Sequence, residues 1–578
     1  MSVLPVAPSP SARPRVAIAV TVVLVLLSGI VAVVSQRDRG RDGVPGPAAT
    51  ASPGAPSGSA APSGAAVDPA LLGFYRARPA AADGDRGGSV VAAAQGEPVT
   101  LDPFAVGGDT PATRDLAPLW LPGLYRIGPG GVRTPWLAAG PPTVTADGRR
   151  VVVELRPDAR WSDGAAITSA DVAATWRRAT SRPGPWRATY ADVAGIETPT
   201  PTRAVLVLRR PTVAWARLFV APTGVLPAAA LQRLGDKPYD LKVTGGPFTL
   251  AARARGLETV WRRTAHPWPG SDPRLDEVRV QVVPDFSTAV ELLRARRLDA
   301  VLPYDSVNAA GRLSGVGGVT VEAEKEHRSV TALTMRTTGG PLKDVRVRRA
   351  VALALDRPAF AEGLLRDGGT GADGLRSSES ASAPFARWRP NLAEARRLLT
   401  AAGWQGNGDR PRKRGGDELT LVLASPSPSD LYDVVARGMQ VQLRKVGIQV
   451  DLAGADADVA AELARTGGSD LALTRWDTDV VSDLPRLLGS AGAAPQGAGW
   501  PRWADRVADA ALRDAAAAPT LAAADAALDR ADARAADQVP VLPMFRVDAV
   551  TAAAAGVHVE APVSGYGGPL ADVDRWSR

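Results

Sequence analysis

Hydrophobic and polar positions change period several times along this chain, and each change predicts a different kind of element. Val16 to Ser35 is a run of twenty uncharged, mostly aliphatic residues behind Arg13 and Arg15. At 1.5 Å per residue that length crosses a hydrocarbon core of about 30 Å. A cleavable signal peptide would have a shorter apolar core, about 7–15 residues, and a small-residue cleavage site. Ala32-Val33-Val34-Ser35 fits such a site only loosely. The run therefore predicts one transmembrane signal anchor at 16–35, after a cytoplasmic N-terminus at 1–15. Arg13 and Arg15 compete with Arg37, Arg39 and Arg41, so loop charge alone leaves the orientation open. Residues 36–88 are Pro, Ala, Gly and Ser with few large apolar side chains. Such a stretch buries too little surface to offset its ordering entropy, which predicts a disordered linker. Only the island Leu71-Leu72-Gly73-Phe74-Tyr75 interrupts it, and transient docking is all it suggests.

From Ser89 onward strand and helix patterns alternate irregularly, which predicts a mixed α/β body. Asp147-Gly148, between Thr143-Val144-Thr145 and Val151-Val152-Val153-Glu154-Leu155, reads as a hairpin turn. Asn391 and Glu394 cap a helix with Ala395, Leu398, Leu399 and Ala402 on one face and Gly403 as its stop. Val347, Ala350, Val351 and Ala354 form another such face, ended by Asp356-Arg357-Pro358. The run Arg160-Trp161-Ser162-Asp163-Gly164 followed by Ile167-Thr168-Ser169-Ala170-Asp171-Val172 reads as strand, tight turn and helix. Thr168 is placed to cap that helix by accepting a free N–H, with Asp171 facing the positive helix end and Ile167 and Val172 as a staple. No repeat of 20–50 residues is visible, against a solenoid or propeller.

At 578 residues the chain has room for more than one lobe. It contains no cysteine, which excludes disulfides, thiolate metal sites, cysteine nucleophiles and a lipidated cysteine anchor. The net charge of +8 is spread and interleaved with Asp, so no nucleic-acid groove is predicted. The densest cluster, Arg410-Pro411-Arg412-Lys413-Arg414, reads as a solvated loop rather than a phosphate-binding arm. His266, His327 and His558 are isolated, and no G-x-S-x-G, S-x-x-K or Walker loop occurs. The sequence thus predicts a protein that is not an enzyme, with no cofactor and no metal. Most of the fourteen Trp residues, Trp161 and Trp176 among them, read as core.

The wording W-S-D-G-x-x-I-T-x-A-D-V-x-x-x-W at 161–176 resembles the signature of the family 5 extracellular solute-binding proteins, which deliver peptides and related solutes to ABC importers. Further segments resemble the family in its own order: Thr100-Leu101-Asp102-Pro103; Thr244-Gly245-Gly246-Pro247-Phe248; Pro341 to Ala350 running on to Leu355-Asp356-Arg357; Asn391 to Gly403; and Val539-Pro540-Val541-Leu542-Pro543. The resemblance implies a two-lobed α/β fold of the periplasmic-binding-protein type, with an extra α/β subdomain in lobe one. Mapped here, lobe one is 89–330 plus 541–578, with the insert near 111–243, and lobe two is 331–540. The crossing strands would be 330–337 and 539–547. It also implies an extracellular, membrane-anchored, monomeric protein that hands a peptide or peptide-like solute to permease subunits.

In peptide-binding relatives, an Asp shortly after a Trp meets the ligand ammonium, in the pattern W-x-x-D-x-x-D-P. Trp476 and Asp479 match its first two positions, while the later acid and Pro are displaced to Asp483 and Pro485. The alternatives for Asp479 are capping a helix near Asp483 or pairing with Arg475. Arg336 stands where the family commonly has Asn. Its alternatives are a ligand carboxylate, a salt bridge locking the lobes, or solvent. Two rival functions fit the same residues: an envelope regulatory or scaffold protein that reuses the fold, and an extracellular hydrolase.

Overall fold

The computed structural model describes residues 68–79, 85–128, 131–181, 184–324, 329–366, 368–376, 382–406, 409–455, 457–477, 484–490, 503–561 and 568–578. The expected signal anchor at 16–35 lies outside these residues. Among the described helices, none is long and apolar enough to cross a membrane.

Two separate sheets organise the body. A seven-stranded sheet runs in the order Val319–Glu324, Ala549–Ala554, Ala300–Val301, Ser89–Ala94, Glu277–Val282, Glu258–Arg263, Phe248–Ala254. Ser89–Ala94 is parallel to both of its neighbours, and its side chains are buried in alternation or completely, as a central strand requires. A six-stranded sheet runs Gly369–Gly371, Val541–Val547, Ser329–Met335, Leu471–Asp477, Thr420–Pro426, Gln449–Ala455. Both central strands Ser329–Met335 and Val541–Val547 are buried at every position. The sheets have separate apolar cores, one built around Trp120, Trp136 and Trp261, the other around Leu333, Met439 and Phe545. The body is thus a two-lobed α/β fold.

The chain passes between the lobes twice. The outward passage leaves Val319–Glu324 and resumes at Ser329–Met335. The return is one residue long: Val541–Val547 pairs in the six-stranded sheet, Ala549–Ala554 in the seven-stranded sheet, and Asp548 lies between them. Strand 541–547, given to lobe one from the sequence, thus belongs by pairing to lobe two. Its apolar run fits either sheet, and only the pairing decides.

A four-stranded antiparallel sheet, Thr143–Val144, Arg150–Glu154, Arg203–Leu208, Val193–Thr200, lies within the stretch read as the insert. The Asp147-Gly148 turn joins its first two strands, with Gly148 at φ 66. The Trp161 segment leads into helix Ser169–Ser181, with the capping reversed from the expectation. The Thr168 N–H and hydroxyl both donate to Asp171 Oδ2, at 2.7 and 3.2 Å, so the acid reaches back to the cap. Asn391 caps helix Leu392–Ala401 as expected, accepting from Glu394 N at 3.0 Å.

The linker expectation needs correction within 68–79. Pro69–Leu72 forms a helical turn, and Leu71 and Tyr75 are buried in the core of lobe one. The Tyr75 ring meets Tyr125 edge-on at 4.8 Å and stacks on Trp215 at 6.2 Å. Composition averaged over a long Pro/Ala/Gly/Ser stretch hides such an island, because two buried aromatic and aliphatic side chains offset the ordering of a short segment.

Candidate functional site

The two passages join the lobes, and contacts between the lobes gather in three seams. The first lies where the loop after Ala300–Val301 meets lobe two. Asp305 accepts from Arg475 at 2.9 Å and from the Tyr432 hydroxyl at 3.2 Å. Beside it, Asp430 accepts from Ser306 Oγ at 2.8 Å, Arg312 at 2.6 Å and the Val307 N–H at 3.3 Å. Asp430 opens helix Asp430–Arg444, where a carboxylate suits the positive helix end. Burial, then the neighbouring Asp305 charge, push the Tyr432 hydroxyl well above the usual tyrosine range, so it stays a neutral donor.

The second seam joins helix Leu484–Leu488 to lobe one. Arg486 pairs with the buried Asp109 and lies over the Trp186 ring at 5.4 Å. A small pocket on the lobe-one side, lined by Arg133, Trp186, Thr189, Arg217, Val220 and Thr223 among others, shares Trp186 with this contact. The third seam is apolar. Ala518, Leu521 and Ala524, at the turn between helices Arg506–Ala517 and Leu521–Gln538, pack into the lobe-one core. Thr212 Oγ1 donates to Ala516 O at 2.7 Å, and Val213 N to Ala518 O at 3.0 Å.

Against this frame the three sequence candidates separate. Trp476 lies in strand Leu471–Asp477 opposite Val330, at the end of the ladder nearest the outward passage. It is buried, and its indole N–H donates to Thr474 Oγ1 at 2.8 Å. Asp479 lies outside the described residues. Arg336 sits at the other end of the same ladder, where its N–H donates to Asp470 O at 2.8 Å. Six residues of strand put it about 20 Å from Trp476. Its guanidinium pairs with Asp470 and donates to Gly467 O at 3.1 Å, so its bonds lie within lobe two. The structure does not bring Arg336 and Trp476 together. Asp305, Asp430, Arg312 and Arg486 were not singled out by the sequence. Asp305 and Arg475 are 170 residues apart, and no spacing pattern links them.

The basic cluster at 410–414 forms a small hairpin, Lys413–Arg414 against Asp417–Glu418. Lys413 and Arg414 are exposed there, whereas Arg412 is buried and donates to Val446 O at 2.8 Å and Trp404 O at 2.9 Å. Among the described residues no group of His, Cys, Asp and Glu could hold a metal ion.

Residues 133–497, more than half of the chain, match the family of bacterial extracellular solute-binding proteins, family 5, middle region. The chain belongs to that family. Protein XP55 of Streptomyces lividans is 28% identical over 337 residues, 57% of this chain and 61% of that protein. The glutathione-binding protein GsiB of Escherichia coli (strain K12) is 25% identical over 332 residues, 56% of this chain and 62% of that protein. The chain thus spans about three-fifths of the length of these curated relatives. The fold matches the oligopeptide-binding protein AppA from Bacillus subtilis, solved with a nonapeptide, at TM-score 0.76 and 18% identity, over 86% of this chain and 99% of that one.

Proposed function

We propose that this chain is the solute-receiving subunit of an ABC importer, holding a peptide-like ligand between its lobes without chemical turnover. The observation that carries this reading is the family match across 133–497, laid over two lobes joined by two neighbouring strands. That arrangement lets the lobes rotate about a short hinge, so that permease subunits distinguish loaded from empty protein by shape. That GsiB of Escherichia coli binds glutathione supports a ligand built of amino acids. The Trp476 strand ends next to the passage between lobes, which supports Asp479, just beyond it, as the partner of a ligand ammonium. In this reading the run 16–35 anchors a monomer whose body lies outside the cell membrane.

Native mass spectrometry of the chain from Pro62 onward, purified without denaturation, tests the proposal. A reproducible bound mass that is lost in Asp479→Ala supports it and identifies the ligand class. An empty protein that also gives no thermal shift with a pooled peptide library favours the regulatory rival. Turnover of peptides or esters by the pure protein, abolished by changing one nucleophile, would replace both.

A further inference from the structure

The segment 68–79 is bonded at one end to lobe two and at the other to lobe one. Asp68 Oδ2 accepts from the N–H of Leu521 at 2.6 Å, the first residue of helix Leu521–Gln538 in lobe two. Thr520 already caps this helix through Ala523 N, so Asp68 satisfies a further free N–H and adds a negative charge at the positive helix end. The next residues run into lobe one. Leu71 and Tyr75 are buried, Arg133 N donates to Phe74 O at 2.7 Å, and Arg76 N donates to Arg133 O at 2.9 Å. Arg78 then grips Asp574 with both terminal nitrogens, at 2.7 and 2.9 Å. Buried Arg126 shares Asp574 at 2.7 Å. Together these cations hold the Asp574 carboxyl far below the usual carboxylate range despite its burial. The segment crosses the apolar seam where Trp215, stacked under Tyr75, neighbours the turn at Ala518.

From these contacts we infer that residues 68–79 are an interlobe strap: a piece of the chain N-terminal to the two-lobed body that fastens lobe two to lobe one and shifts the balance of open and closed lobes. Opening at the third seam must break the Asp68–Leu521 bond or lift the strap out of lobe one. A pull on the chain before Asp68 therefore acts first on helix Leu521–Gln538. The inference goes beyond the proposed ligand function, and its test needs no ligand, so the two fail separately.

The absence of native cysteine permits clean double labelling. Spin labels at Arg262→Cys in lobe one and Arg444→Cys in lobe two, in the full chain, report the interlobe distance by pulsed electron resonance. Asp68→Ala releases the lobe-two end, and Arg78→Ala removes one of the ties that hold the lobe-one end. Asp68→Ala is expected to raise the longer-distance population roughly fivefold, the size of a lost helix cap, and Arg78→Ala to raise it less. Asp68→Asn, which still caps, is expected to stay close to the parent. Circular dichroism confirms that each variant is folded. Distance distributions unchanged in both alanine variants, or changed in Arg78→Ala alone, would overturn the inference.

Discussion

Asp171 is almost fully buried and accepts hydrogen bonds from Thr168 N, Thr168 Oγ1, Ala228 N and the Trp161 indole. Burial nevertheless holds its carboxyl above the usual range. The Trp161 signature is thus a lock within the fold. Its turn is tied to the second family segment, since Ser162 N donates to Thr244 O at 2.7 Å and Thr244 N to Ser162 Oγ at 3.0 Å. A Cβ on Gly245 would fall 2.6 Å from the Trp161 ring, which is why glycine stands there. Asp171→Ala strands several buried donors and should cost about 2–4 kcal/mol in urea unfolding. Gly245→Ala should cost about 1–3 kcal/mol by overpacking. The resemblance marked these motifs as a family signature, but not that they touch each other, since 82 residues of chain separate Ser162 from Thr244.

A second buried acid gives a pH signature. Asp532 is pushed up to about 7, chiefly by burial, opposed by a hydrogen bond from Leu375 N and the charge of Arg376. The folded state therefore binds a proton that the unfolded chain releases near pH 4. Its contribution is present at acid pH and is lost as pH rises through about 7, by an amount on the order of 4 kcal/mol. Asp532→Asn keeps an acceptor for Leu375 N without the charge. It should be more stable than the parent at pH 8 and flatten the stability profile between pH 4 and 7.

At the scale of elements, the strand ladder explains what was legible about the site. The family resemblance implied crossing strands at 330–337 and 539–547, and the structure has strands Ser329–Met335 and Val541–Val547 there. Nothing in residue type showed that Arg336 and Trp476 would sit at opposite ends of one ladder. Register comes from pairing, and pairing is not written in either strand alone. The first seam was illegible for the same reason, because its carboxylates and arginines meet only after both lobes have formed. Asp305→Ala and Arg475→Ala should each weaken ligand binding, with a coupling of about 1–3 kcal/mol in a double-mutant cycle. The effect should shrink as salt rises, because the pair is only part-buried.

On the scale of the whole molecule, lobe two is one continuous stretch, whereas lobe one is discontinuous. The return through Asp548 places Ala549–Ala554 between Val319–Glu324 and Ala300–Val301 inside the seven-stranded sheet. That insertion has a consequence in time. As the chain leaves the ribosome, lobe two has all its strands once Val547 is out, but lobe one still lacks an interior strand. Helices and hairpins of the insert can form early, yet the sheet they flank closes only when the final segment arrives. Fragment 329–547 expressed alone should unfold cooperatively in urea. Fragment 62–324 should do so only after a peptide covering 549–578 is supplied. Completion of the first lobe thus waits on residues 549–578, so a chain truncated before them would carry a finished second lobe on an unfinished first.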